Sequence, residues 1–128
     1  MPTAPTTTRL LLLAHGSRQP AWAQPFEAVL ATLRANRPEL DVALAYLESM
    51  QPSLPQALDA AGASGCTQVN LVPLFLGAGG HLQRDIPLAV REAQTRHPGL
   101  EVRVAPAAGD DPDIVAALAA YALRCAGA

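Results

Sequence analysis

Two histidines and one glutamate stand where short apolar runs end. His15 closes LLLLAH, Glu48 follows AYL, and His81 follows LFLGAGG. Neutral imidazole is a good ligand for cobalt, nickel, iron and zinc. Two imidazoles leave several coordination positions open, which suits an ion in transit better than a structural metal. A carboxylate beside them adds a ligand or a proton acceptor. Insertion of a metal into a tetrapyrrole needs these functions together: a ligand that holds and releases the ion, and a base that removes pyrrole N–H protons. Each residue alone also has a plain reading, a histidine in a core or at a helix end and a glutamate in solvent. Three of them ending three strands is the stronger signal. Gly16 permits a sharp exit after His15, and Ser17 and Arg18 give that exit an anion-binding character. Gly79 and Gly80 let a large ligand approach the backbone before His81.

These residues need a scaffold that gathers strand ends. Arg9–Ala14, Val42–Leu47 and Val69–Leu76 are short continuous apolar runs, as parallel strands buried on both faces read. Glu101–Ala105 alternates and predicts a half-exposed edge strand. Pro73 inside the third run predicts a bulge or an early end to pairing, because proline cannot donate to a ladder. Helices are predicted between the strands. Trp22, Phe26, Val29, Leu30 and Leu33 form one stripe. Ser53, Leu54, Pro55 and Gln56 form a capping box with proline in the first turn, ahead of Leu54, Leu58 and Ala61 on one face. Asp85 is placed to cap a helix carrying Ile86, Ala89, Val90 and Ala93, unless that helix starts nearer His81. Asp111-Pro112 opens a last helix with Ile114, Leu118, Tyr121 and Ala122 on one side. The expectation is a single-domain α/β fold: an open parallel sheet of four strands with helices on both faces. With strand order 2-1-3-4, His15, Glu48 and His81 leave neighbouring strands at their carboxyl ends, where open α/β sheets bind ligands. Strands about 4.8 Å apart bring them within roughly 10 Å of one another.

The chain has 128 residues, half of them hydrophobic, which suits one domain with its own core. Residues 1–8 read as a loose Pro/Thr-rich tail and 9–128 as the domain. The net charge is -2 and all nine basic residues are arginine, with no basic stripe, so nucleic acid is not an expected partner. No apolar run approaches the roughly 18 residues of a membrane span. A cytoplasmic location is expected. Cys66 and Cys125 form no CxxC pair and are read as thiols without chemistry. His97, at a helix end, is assigned a dipole or surface role.

Two other enzyme or binding classes fit less well. A histidine phosphatase needs Arg-His-Gly after its strand, and Ala14 stands where that arginine would be. A flavodoxin-like flavin binder needs a phosphate-binding Ser/Thr run, which the glycine loop lacks. A non-catalytic metal or tetrapyrrole carrier would use the same pocket as a chelatase.

The segments LLLAHGSR (Leu11–Arg18), YLESMQPSL (Tyr46–Leu54) and VPLFLGAGGHLQRDIP (Val72–Pro87) resemble the short class II chelatases, the small CbiX-type sirohydrochlorin cobaltochelatases. The resemblance runs from Leu11 to about Ala122. It implies insertion of a divalent metal into sirohydrochlorin, with cobalt the default and iron or nickel open, and so leaves open cobalamin, siroheme or nickel-tetrapyrrole synthesis. It implies His15 and His81 as metal ligands, His15 as proton acceptor, and Glu48 in contact with substrate or metal. It implies that Leu76, Gly77, Ala78, Gly79 and Gly80 line the macrocycle pocket leading into His81. Ser17 and Arg18 are expected to meet the pigment's carboxylates, on charge alone. The metal is a substrate, and no permanently bound cofactor is expected. Family members of this length are similar to one half of a two-lobed chelatase and are expected to pair as homodimers.

Overall fold

In the computed structural model, which describes residues 7–77 and 79–127 apart from the side chain of His81, strand and helix alternate. β1 (Thr8–Ala14) leads through a 3-10 turn (Pro20–Ala23) into α1 (Gln24–Asn36). Then follow β2 (Asp41–Tyr46), α2 (Leu54–Ala63), β3 (Gln68–Pro73), α3 (Gly80–Arg96) and β4 (Glu101–Val104). A second 3-10 turn (Ala108–Asp110) precedes α4 (Pro112–Cys125). The strands form one parallel sheet in the order β2-β1-β3-β4, the order under which the strands ending at His15, Glu48 and His81 are neighbours.

β1 lies between two neighbours and two helical layers, which is why it needs an unbroken apolar run. Leu11 pairs with Ala43 on one side and Leu71 on the other. Leu11, Leu13, Ala45, Val69 and Leu71 pack against Leu58 and Ala61 of α2 and Ile86, Val90 and Ala93 of α3. Leu12, Ala14, Val42, Leu44 and Tyr46 face the opposite way, onto Phe26, Leu30 and Leu33 of α1. Helices therefore cover both faces. Each fully buried leucine contributes about 2 kcal/mol.

Local signals set the element ends. Ser53 caps α2 through a complete capping box: its Oγ accepts from the Gln56 N–H, and the Ser53 N–H donates to Gln56 Oε1. Asp111 caps α4, its Oδ1 accepting from the Asp113 N–H at 2.8 Å. Pro73 is the last residue of β3. Leu71 accepts from Ala105 on the β4 side and Leu74 donates to Leu13 on the β1 side. By alternation, the missing proline donor faces β4, beyond its last paired residue, Val104. Pairing ends early there, and Leu74–Leu76 leave the strand instead of extending it.

Other boundaries differ from expectation. Thr8 begins β1, and Thr7 is tied down by donating to Thr67 Oγ1 and accepting from the Thr67 and Gln68 N–H groups. Trp22 is 63% exposed, because it sits in the 3-10 turn, where helical spacing to Phe26 does not apply. Val29 is also exposed. α3 starts at Gly80 with Gly79 as its N-cap, the alternative start near His81, so Asp85 lies inside the helix. Pro87 also lies inside it, removing one hydrogen bond to the preceding turn. In α4 the expected stripe is present but unburied: Ile114, Leu118 and Tyr121 are exposed, and no residue of α4 is buried.

The sheet edges are occupied or short. Arg34 donates to the Val42 carbonyl on the outer side of β2, and the Tyr46 N–H donates to Pro52 O at 2.9 Å. β4 has four residues and carries an Arg103–Glu101 pair at 3.1 Å.

α2 and α3 are clamped at their C-terminal ends. Arg96 Nε donates to Asp59 Oδ1 at 2.8 Å, and His97 Nε2 lies 3.3 Å from the same oxygen. The Arg96 guanidinium, with help from His97, holds the Asp59 carboxyl below its ordinary value. The His97 ring rests on Gly62, where an added Cβ would come within 2.4 Å of it. His97 thus does more than end a helix; it packs one helix on the other. Gly62→Ala is therefore expected to lower the thermal midpoint, although alanine gains about 1 kcal/mol of helix propensity over glycine. A rise in the midpoint on scanning calorimetry would show that the ring contact is dispensable.

Candidate functional site

The β1–β2 ladder continues past both strands and joins two of the chemical residues. Leu47 donates to Ala14 O at 3.0 Å, and Glu48 donates to His15 O at 3.1 Å. The chains then press together. Gly16 has φ 92°, and a Cβ there would lie 2.0 Å from the Glu48 carbonyl oxygen. On the other side Ser49 adopts φ 63°, and the Met50 N–H closes a tight turn onto Glu48 O at 2.7 Å. Glu48 is held from three directions. His15 Nε2 lies 3.4 Å from Glu48 Oε1, with the side chains 53% and 60% exposed. A pair this open adds little stability. What it offers is an imidazole and a carboxylate side by side, a ligand and a base.

The end of β3 is braced differently. The Gly109 N–H donates to Phe75 O at 3.3 Å, and a Cβ on Gly109 would sit 1.7 Å from Leu76 O. The 3-10 turn after β4 thereby holds the start of the glycine loop. Leu76, Gly77, Gly79 and Gly80 are exposed, and an added Cβ at any of these three glycines would meet nothing within 4 Å. Ala78 lies outside the described residues. His81 is the second residue of α3, which places its backbone at the mouth of the loop; its side chain lies outside the described set.

A cavity of about 540 Å³ opens beside this edge, lined by His15, Glu48, Gly79, Leu82 and Asp85, with Leu47, Leu54, Pro55 and Ala89 forming the rest of the wall. It falls within the size range of small-molecule sites. His15, Glu48 and Gly79 are thus brought together. Ser17, Arg18, Leu76, Gly77 and Gly80 do not line it; Ser17 Oγ instead accepts from the Gln19 N–H at 3.1 Å. Among the described residues, no three His, Cys, Asp or Glu side chains are grouped to hold a metal. Leu82 and Asp85 were not among the expected site residues. Starting α3 at Gly80 would have revealed both, since Asp85 then falls four residues, about one turn, after His81.

A model of the CbiX family matches residues 9–124. The chain belongs to the CbiX family. It is 31% identical over 105 residues to a sirohydrochlorin cobaltochelatase of Sulfurisphaera tokodaii, covering 82% of each chain. It is also 31% identical over 78 residues to a sirohydrochlorin cobaltochelatase of Methanococcoides burtonii, covering 61% of this chain and 60% of that one. The chain thus spans about three fifths of the length of that relative. Among solved structures, a CbiX protein of Marinobacter aquaeolei VT8, named for cobalamin biosynthesis, superposes with a TM-score of 0.77 at 31% identity, covering 91% of this chain and 95% of that one. The sirohydrochlorin chelatase SirB of Bacillus subtilis subspecies spizizenii, solved with cobalt, superposes with a TM-score of 0.71 at 27% identity. There the match covers 83% of this chain and 45% of SirB, as one half of a longer chelatase would.

Gly16 and Gly79 give a direct test of which glycines the CbiX fold itself requires. Gly16→Ala combines a positive φ, costing about 1 kcal/mol or more, with overlap onto the Glu48 carbonyl. A clear drop in thermal midpoint is expected. Gly79→Ala is expected to cost about 1 kcal/mol or less, the N-cap preference for glycine over alanine, with no steric overlap to add to it. Equal midpoints for the two variants would contradict the close approach at Gly16.

Proposed function

We propose that this chain inserts a divalent metal ion into a sirohydrochlorin-type tetrapyrrole. The observation that carries the reading is the His15–Glu48 contact at 3.4 Å, fixed at the carboxyl edge of β1 and β2 and opening into the cavity. Membership of the CbiX family and relatives named sirohydrochlorin cobaltochelatase support it. In the reaction one dication enters the ring and two pyrrole N–H protons leave. His15 and His81 hold the ion at one face of the macrocycle. His15, with Glu48 beside it, accepts a proton as the ion moves into the ring. The glycine loop, Leu76 to Gly80, lies against the pigment; the open space at Gly77 and Gly79 supports that placement. Ser17 and Arg18 stand near the same edge as partners for carboxylates. The rigid strand ends supply positioning, which lowers a barrier by several kcal/mol.

Cobalt is the default ion, from the names of the relatives; the two imidazoles and the carboxylate also accept iron and nickel. SirB has been solved with cobalt and, from Bacillus subtilis, with Fe3+. Cobalt places the chain in cobalamin synthesis and iron in siroheme synthesis. Residues 9–128 act as one chelatase-like domain in the cytoplasm, and no described helix is long and apolar enough to cross a membrane.

The working unit in this reading is a homodimer. His15 and Glu48 are more than half exposed, whereas metal insertion benefits from a site closed to water. α4 presents Ile114, Leu118 and Tyr121 to solvent along one side, a stripe suited to a second copy.

The reaction is tested by following pigment absorbance with protein, sirohydrochlorin and Co, Ni or Fe(II). Wild type is expected to accelerate conversion, and His15→Ala to return it to the protein-free rate. Pigment bound without acceleration would point to a carrier. For assembly, Leu118→Glu is expected to convert a dimer into a monomer on light scattering; an unchanged mass would remove α4 from the interface.

A further inference from the structure

α4 is a helix without a core of its own. None of its 14 residues is buried, and its main packing is on the 3-10 turn before it. Yet it carries only two charged side chains, Asp113 in the first turn and Arg124 in the last. Between them runs IVAALAAYAL, almost wholly apolar on every side, as a buried helix reads. It is too short and not apolar enough to span a membrane.

Exposure around the helix is uneven. Ile114 is 39% exposed and lines a cleft with Val72, Leu74 and Pro106. Tyr121 and Leu123 are 60% and 69% exposed. At about 100° per residue, these two lie on opposite flanks of one line along the helix, formed by Asp113, Ala117, Ala120 and Arg124. Asp113 and Arg124 are eleven residues apart, roughly three full turns, so both stand on that line. The line marks the outward side of α4, and between its charges it carries nothing larger than alanine. Small side chains let two helix axes approach closely. The charges are also self-complementary: turned end over end, the acidic end meets the basic one, as a twofold interface requires.

We propose that two copies of this chain pair through α4, antiparallel about a twofold axis, with Asp113 of each copy against Arg124 of the other and Ala117 against Ala120. This pairing rests on the homodimer reading and adds its orientation and contacts. Arg124 already leans over Tyr121, 5.7 Å from the ring centre, which keeps its guanidinium beside the seam. Half the surface of a helix about 21 Å long and 10 Å wide is roughly 330 Å². The helix pair therefore buries roughly 700 Å², a little under half of a standard interface. The rest falls on the flank that carries Tyr121, Ile114 and Leu118. There Tyr121 of each copy comes beside Ile114 of the other, at the cleft formed with Val72 and Leu74.

Asp113 and Arg124 also suit the dipole of their own helix, acid first and base last. Charge exchange separates the two roles. Asp113→Arg and Arg124→Asp are made singly and together in the full chain, and dimer dissociation is measured by sedimentation equilibrium. Each single variant is expected to weaken the dimer about tenfold, because like charges replace two exposed ion pairs. The double variant is expected to recover most of the affinity, although both charges now oppose the helix dipole. An equimolar mixture of the two single variants is expected to form mixed dimers about as tightly as wild type. A double variant that dimerises no better than the single ones, and has the lowest thermal midpoint, assigns the charges to the dipole and overturns the proposal. Equal dimer affinity in all four proteins overturns it too, and leaves the homodimer standing on another surface. A wild type that stays monomeric at every concentration removes the homodimer reading and this pairing with it.

Discussion

The approach of the Gly16 backbone to the Glu48 carbonyl governs the geometry of the site. With no side chain at position 16, the segments leaving β1 and β2 can touch where the strands would otherwise diverge. The ladder bond from Glu48 to His15 then extends the sheet by one step into the loops. An imidazole and a carboxylate are thereby placed on backbone that is nearly as fixed as a strand. Neither side chain needs a dedicated hydrogen-bonding partner to hold its place, so both remain exposed and available to a ligand.

The two helical layers contribute unequally. α2 and α3 pack on one face of the sheet, and their amino-terminal ends supply Leu54, Pro55, Leu82 and Asp85 to the cavity. Their opposite ends are clamped by Asp59, Arg96, His97 and the notch at Gly62. A fixed far end and an open near end fit a pair of helices whose spacing sets the width of a cleft. α1 faces the other way and stabilises β1 and β2 from behind.

Much of this was legible in the sequence where a single local rule dominates. The apolar runs of β1 and β2, the capping box at Ser53 and the parallel sheet follow from burial on both faces, a hydrogen-bonded box and repeated βα units. The errors arose where two rules compete. Leu74–Leu76 are as apolar as a strand and fall outside it only because pairing ends at Pro73, one of the two outcomes that proline predicts. The start of α3 has no side-chain cap to announce it, so the sequence leaves two starts open, at Asp85 and nearer His81, and the structure has the second. Trp22 matches a helical spacing in a segment that is not yet α-helical. The stripe on α4 was correct in pattern, yet burial depends on what lies opposite, and periodicity does not report that.

The borders of the sheet limit how such a domain can associate. Along β2 two outward backbone groups, Val42 O and the Tyr46 N–H, are engaged by Arg34 and by Pro52, and β4 offers only a short border bearing opposite charges. A neighbouring strand would meet an edge interrupted near both ends of β2 and a short one at β4. Growth of the sheet across molecules, whether into a continuous intermolecular sheet or a fibrillar stack, is thus disfavoured at both ends. Molecules of this chain are left to meet through side chains, at surfaces whose shape sequence variation can tune without disturbing the strands that hold the site.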